Sequence, residues 1–369
     1  MASSTTRRQG AFMRADDLVP QKVEAILNPG RMLADGVPYP DFAAASSLGD
    51  LSRWLPFWSE TAERYEAIGD EAIRAGNTVS GGEWLWLASL SWHYGQLMWF
   101  HEPERREHGQ RKKVELYKKA APHLVRPAER LEIELEGSII PGYLRTPSGS
   151  GPHPCAVLIG GLESTKEESY LFEALCHRRG MATFAFDGPG QGEMFFDVKL
   201  VADFNRYTSA VLDAIEIRPE VDADRIGILG RSLGGYYAMQ SAATDVRLKA
   251  CVAWGGFADM SDFDGMPAHT RAGFVYVSGF DDLTEGRAYL QETFNIDDVI
   301  ADLTCPTLLI QGVHDPIFPP HQTELLRAGL AGKPRAEIVN EADGDHCCHN
   351  MGPVVRRRMA DWLANRLSE

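Results

Sequence analysis

The chain has 369 residues, enough for one enlarged domain or for a core with a large accessory part. With 44% hydrophobic and 24% charged residues and no apolar run near the ~20 residues of a membrane span, it reads as an ordinary globular protein with no membrane role. A formal charge of -15 repels polyanions, so nucleic acid is not an expected partner, and Arg105, Arg106, Arg111, Lys112 and Lys113 sit among glutamates and read as a solvated helix face.

The start, MASSTTRRQG, is basic but has no apolar run behind it, so it reads as a frayed terminus rather than a signal or an anchor. Six cysteines, at 155, 176, 251, 305, 347 and 348, lie largely in apolar runs and suit buried free thiols in a reducing, cytoplasmic compartment. From about Asp17 to Pro122 the period is helical. Leu51, Trp54, Leu55, Trp58 and Ala62 recur at three-to-four spacing, Glu83 to Phe100 is apolar nearly all round, and Glu104 to Ala121 is charged and amphipathic. The tryptophans of this half (54, 58, 84, 86, 92 and 99) are expected to fill a helical core. Some of these rings, with His93, Tyr94 and His101, are candidates to line a pocket for a flat aromatic substrate.

At Arg130 the period changes to two, with an antiparallel pair over Leu131 to Leu135 and Ile139 to Leu144. Cys155 to Ile159 reads as a strand covered on both faces. Strands and helices then alternate: Met181 to Phe186, helix Val201 to Ile217, Arg225 to Leu229, the helix after Ser232, Lys249 to Trp254, Pro306 to Gln311, helix Gln322 to Ala331, Ala336 to Asn340 and helix Val354 to Arg366. Such alternation implies a mostly parallel sheet flanked by helices. Asp259 to Asp302 is too long for a plain connection and reads as an insertion over the C-terminal edge of the sheet, with helical spacing at Thr284 to Phe294. The expected division is a helical N-terminal region, 1–125, and a core, 126–369, with a cap insertion at 259–302.

Gly230-Arg231-Ser232-Leu233-Gly234 is G-x-S-x-G between a strand and a helix, a context that presents a serine alone on a strained turn within reach of a histidine. The order Ser, Asp, His is that of an α/β-hydrolase, and Asp315 and His346 each follow a strand at the same sheet edge. Asp343, Asp345 and Glu341 remain alternatives for the acid, and His314 and His349 for the base. Leu233 supplies one expected oxyanion donor, with Leu162 or Gly161 as the second. Gly188-Pro189-Gly190-Gln191-Gly192 lacks the spacing of a dinucleotide loop and reads as a structural turn, so no cofactor is expected. The adjacent ligands of His346-Cys347-Cys348-His349 cannot readily spread over a tetrahedron, so no metal is expected either.

GGLESTKEES (160–169), DGPGQGE (187–193), GRSLGGYYA (230–238), AWGGFADM (253–260), GVHDPI (312–317) and DGDHCCHN (343–350) resemble the α/β-hydrolase subfamily of 2,6-dihydroxypseudooxynicotine hydrolase over essentially the whole chain. The resemblance implies an α/β-hydrolase fold whose N-terminal helices join the cap. It also implies hydrolysis of a carbon-carbon bond beside a ketone, with the triad on Ser232, Asp315 and His346. Fungal relatives shorten polyketide pigment precursors in a similar way. Candidate pocket residues are Glu163, Tyr236, Trp92, Tyr94, His93 and Asp262, although no substrate-binding acid can be matched within Ser261 to Arg271. The expected partners are a small aromatic substrate and, among macromolecules, a second copy in a homodimer. An ester, lactone or amide hydrolase with the same triad is the nearest rival reading, and a binding protein on a hydrolase scaffold the next. The residues alone leave open whether Ser232 attacks the ketone or helps to activate water.

Overall fold

The structure, a computed structural model, describes residues 22–97, 99–333 and 335–369, so the stretch read as a frayed terminus lies outside it. Two short helices, α1 (Pro29–Ala34) and α2 (Tyr39–Ser46), lead into three long ones, α3 (Trp54–Arg74), α4 (Thr78–Gln96) and α5 (Pro103–Ala120). In α3 the buried positions Trp54, Leu55, Trp58, Ala62 and Tyr65 follow the helical period, whereas α4 is buried nearly all round because both α3 and α5 pack on it. Glycines let the first two backbones meet: a Cβ on Gly81 would lie 3.0 Å from the Gly69 carbonyl oxygen.

The core is an eight-stranded sheet. Antiparallel β1 (Ala128–Leu135) and β2 (Ser138–Arg145) join through Glu136 and Gly137, both at positive φ, as a two-residue hairpin turn requires. There follow β3 (His153–Ile159), α6 (Tyr170–His177), β4 (Ala182–Phe186), α7 (Asn205–Ile215), β5 (Val221–Arg231), α8 (Leu233–Thr244) and β6 (Leu248–Trp254). The insertion carries α9 (Ala268–Val277), α10 (Leu283–Thr293) and α11 (Asp297–Ile300), and β7 (Thr307–Gly312), α12 (Pro320–Gly329), β8 (Ala336–Glu341) and α13 (Gly352–Arg366) close the fold. The strand order is β1-β2-β4-β3-β5-β6-β7-β8, parallel from β4 to β8. Successive residues of β3 feed opposite cores: Cys155, Val157 and Ile159 pack toward α7, α8 and the insertion, Ala156 and Leu158 toward α6 and α13.

Several local expectations need correction. Helix α4 stops at Gln96 rather than at Phe100, because Leu97 turns extended (ψ 133°) and Pro103 starts α5 six residues later. Helix α7 begins at Asn205 rather than at Val201: the Gln240 carboxamide accepts from Phe204 N and donates to Ala202 O, stopping the chain one turn late. Helices α6 and α9 were not foreseen, and α9 is buried on nearly every side, which erases the polar stripe that periodicity needs. The basic residues of α5 are not all solvated. Lys113 is fully buried with Nζ 2.9 Å from Glu167, and Arg106 is sandwiched over Phe195 and Tyr276.

Candidate active site

Ser232 stands between β5 and α8 at φ 56°, ψ -118°, a conformation that costs a non-glycine residue ~1–3 kcal/mol and is held by its surroundings. Its N–H donates to Trp254 O (2.7 Å), and its carbonyl accepts from Gly235 N (2.7 Å). The two flanking glycines leave no room for a side chain. A Cβ on Gly230 would run into the Gly234 carbonyl, and one on Gly234 would lie 2.5 Å from the carbonyl oxygens of Ile159 and Gly160.

His346 follows β8 on a short turn. Cys347 and Cys348, both at positive φ, bend the chain there, and the Trp254 indole N–H donates to Cys347 O. Asp315 follows β7 and is buried, its Oδ1 accepting from Ile317 N (2.8 Å) and Phe318 N (2.9 Å). Its Oδ2 lies 2.7 Å from His346 Nδ1, and His346 Nε2 lies 2.9 Å from Ser232 Oγ. An ionised carboxylate only accepts, so when the ring is neutral Nδ1 carries the proton and Nε2 turns a lone pair toward the serine. Burial opposes a charged ring, but Asp315 and Cys347 outweigh it and hold the His346 pKa well above the ordinary value. The alternative acids and bases point elsewhere: Asp345 Oδ1 accepts from Asn350 N (3.2 Å), and the His349 ring packs on Trp254. Among the described residues, His346, Cys347, Cys348 and His349 form no group with metal-ligand spacing. Glu167, Asp187 and Glu193 do converge, yet Lys166 Nζ already sits 2.6–2.7 Å from all three, where a cation would be.

Two cavities meet at this point. One, of about 80 Å³, is lined by Ser232, His346, Gly161, Leu162, Glu163 and Arg231 among others. The other, of about 420 Å³, is walled by Leu27, Met32, Trp54, Tyr94 and Leu97 of the N-terminal region and by Pro267, His269 and Thr270 of the insertion. Arg31, Thr270, Ile317, His346 and His349 belong to both.

Behind them lies a buried charge cluster. Arg31 Nη2 reaches Glu168 Oε2 (2.9 Å), Arg231 pairs with the other Glu168 oxygen, and Arg356 Nη2 meets Asp35 Oδ1 (2.6 Å). Burial alone would raise the Asp35 pKa, but Arg356, Arg231 and Arg31 pull it down to about 2. His93, 2.8 Å from Glu168, has its pKa pushed well below the ordinary value by burial and by Lys113 and Arg31, so it stays neutral.

Comparison with known proteins decides the kinship. The chain is 45% identical over 340 residues to 2,6-dihydropseudooxynicotine hydrolase of Paenarthrobacter nicotinovorans, covering 92% of each protein. It superposes on the crystal structure of 2,6-dihydroxy-pseudo-oxynicotine hydrolase with a TM-score of 0.87 at 44% identity, over 92% of this chain and 96% of that one. The chain belongs to that α/β-hydrolase family. Residues 53–265 match the esterase FrsA-like family and residues 173–369 the prolyl oligopeptidase family. More distant kin include 20-hydroxy-prefusarin hydrolase FUS2 of Gibberella moniliformis, 33% identical over 58% of this chain and 54% of that protein. AbyA5, at 20% identity and a TM-score of 0.68 over 95% of this chain and 98% of that one, shares the fold.

Within this family fold, the foreseen pocket residues divide. Tyr94 lines the larger cavity and Glu163 the smaller. Trp92, His93, Tyr236 and Asp262 line neither. Trp92 packs against His108 in the α4–α5 seam, His93 turns to Glu168, Tyr236 stacks on Phe257 in the core, and Asp262 accepts from Gln322 Nε2 (2.8 Å). Sequence reasoning missed Arg31 and Gln191. The Gln191 amide nitrogen, in the turn read as structural, donates to the carbonyls of Gly160 (2.6 Å) and Gly161 (3.0 Å). In trans peptides the N–H points opposite to the C=O, so Gln191 turns the N–H groups of Gly161 and Leu162 away from itself. The only signal for Gln191 was its repeat of glycines, and Arg31 followed a Pro-Gly pair with no periodic context.

Proposed function

We propose that the protein hydrolyses a carbon-carbon bond beside a ketone, in a β-diketone-like or aryl ketone substrate, with Ser232, His346 and Asp315 as a catalytic triad. The observation that carries this reading is the unbroken chain Asp315–His346–Ser232 at 2.7 and 2.9 Å, with Ser232 lining the smaller cavity and His346 lining both that one and the larger cavity with its aromatic and aliphatic wall. Kinship to a hydrolase of a pseudooxynicotine supports the reaction type. In this reading His346 takes the Ser232 proton, and Oγ bonds to the carbonyl carbon. The resulting oxyanion is held by the amides of Leu233 and of Leu162 or Gly161. Collapse breaks the carbon-carbon bond, and its electron pair leaves with the departing fragment, which must delocalise it. His346 returns the proton to the departing carbon, and water then releases the acid from the serine. A cavity walled largely by apolar side chains suits this, because it limits the water that reaches an early carbanion equivalent.

The test offers a panel of aryl ketones, β-diketones and aryl esters and identifies the products by mass. Paired acid and ketone products are expected, with Ser232→Ala slower by at least ~10³-fold. The esterase FrsA-like match favours a second reading, ester hydrolysis. Turnover of esters alone would establish that instead.

A further inference from the structure

The departing fragment needs a group to receive its charge, and the two cavities share one. Of the five residues that line both the Ser232 cavity and the larger one, Arg31 alone carries a permanent cation, so it stands beside a ligand with its carbonyl at Ser232 and its bulk in the larger cavity. We propose that Arg31 binds the second oxygen of a 1,3-dioxygenated substrate, the far carbonyl of a β-diketone or the ring carbonyl of the keto tautomer of a 2-hydroxyaryl ketone, and takes up its negative charge as the carbon-carbon bond breaks.

This deepens the carbon-carbon hydrolase reading and rests on it. When the tetrahedral oxyanion collapses, the bonding pair moves to the α-carbon and is shared with that second oxygen as an enolate. A phenolate is the same species for the ring tautomer. His346 then protonates the carbon, so that one substrate and one water give one acid and one ketone or phenol, with no change of oxidation state.

Arg31 is held firmly for this task. Its backbone N–H donates to Asn28 Oδ1 (2.9 Å). Its helix lies directly on the turn that carries His346, because a Cβ on Gly30 would land on the His349 carbonyl and 2.8 Å from Asn350 N. Nη2 binds Glu168 (2.9 Å) and approaches Ser164 Oγ (3.5 Å), and Nε faces Asp35 (3.7 Å).

The charges around it explain why a neutral substrate that becomes anionic is preferred. Three guanidinium groups, Arg31, Arg231 and Arg356, share two carboxylates, Asp35 and Glu168. Tyr94 donates to Asp35 (2.9 Å), and His93 and His349 are kept neutral by burial and the neighbouring cations. Glu163 lines the small cavity and Asp345 the large one, so neither cavity presents cations alone. An oxygen that gains charge only in the transition state meets these carboxylates while neutral and Arg31 while charged, which is how a group raises kcat rather than affinity.

The experiment compares wild type, Arg31→Met and Arg31→Lys on 1-phenyl-1,3-butanedione and on phenyl acetate, which has no second carbonyl oxygen in 1,3 relation to the first. In Arg31→Met the ratio of diketone to ester kcat/KM should fall by at least ~10²-fold, mainly through kcat, with Arg31→Lys recovering part of it. A ratio unchanged in Arg31→Met, or equal losses on both substrates, overturns the inference while leaving the hydrolase reading intact. Wild-type turnover of the ester but of no ketone sinks both. Should Arg31→Met fail to fold, Arg31→Lys decides: its diketone-to-ester kcat/KM ratio should fall by at least ~10-fold, mainly through kcat, because an ammonium cannot reproduce the planar guanidinium fork, and an unchanged ratio overturns the proposal.

Discussion

Asp315 is set apart from the other candidate acids by its surroundings. Asp343 and Asp345 lie nearer to His346 along the chain, yet Asp315 is the buried one, with two backbone amides fixing one oxygen and the imidazole on the other. Asp315→Asn keeps the size but can no longer hold the Nδ1 proton in place, so kcat should fall by ~10³–10⁴-fold with the melt little changed. Asp345→Asn should cost far less, and the reverse order would transfer the role. The pH profile supplies a second readout. His346 must be neutral to take the serine proton, and its pKa is raised, so kcat/KM should be lost as pH falls through a value above ~6.5. Removing the carboxylate takes away the leading favourable charge, so that limb should move to lower pH in Asp315→Asn. A limb that stays put would separate it from His346.

At the level of elements, α5 is fastened to the core by a charge in its interior. Lys113 Nζ meets Glu167 at 2.9 Å, and Lys166 joins Glu167, Asp187 and Glu193, the last also bound by Arg130 through two 2.8 Å bonds. Burial pushes the Lys113 pKa down, though Glu167 opposes it. Lys113→Met should therefore lose ~3–5 kcal/mol in a urea melt by leaving Glu167 short of a partner, and the double variant with Glu167→Gln should regain part of that. A loss below ~1 kcal/mol would restore the solvated-face reading of α5. The clamp adjoins the site in the chain, since Gly161 to Ser164, just before Lys166 and Glu167, line the Ser232 cavity.

Over the whole molecule, the N-terminal region and the insertion face each other across the larger cavity, Leu27 and Trp54 from one and His269 and Thr270 from the other. Arg106 of α5 lies over Tyr276 of α9 at 5.0 Å, which ties the two segments together beside it. If both form the roof, filling it from either side should discriminate against bulky substrates. Leu27→Trp and His269→Trp should each lower kcat/KM for a long-chain diketone by ~10-fold relative to a short one, about 1.4 kcal/mol, without a matching drop in melting temperature. A variant whose ratio does not move excludes its segment from the roof.

Periodicity and motif spacing carried the core a long way. The β1–β2 pair, the parallel strands and the serine turn are local matters, set by residue alternation and by glycines that sterics require, and they are legible without coordinates. The placing of Ser232, Asp315 and His346 at one sheet edge was legible, because each lies on the turn after a strand and parallel strands bring such turns together. The α4 end and the α7 start were not legible, since a tertiary carboxamide and a turn into the core decide them. Nor was the fate of the basic residues in α5. A lysine looks the same in sequence whether water or a buried glutamate receives it, and only the packing of distant segments chooses. Arg31 belongs to that class. It lies 201 residues before Ser232 in the chain, and only the fold of α1 onto the His346 turn brings its charge to the mouth of the site.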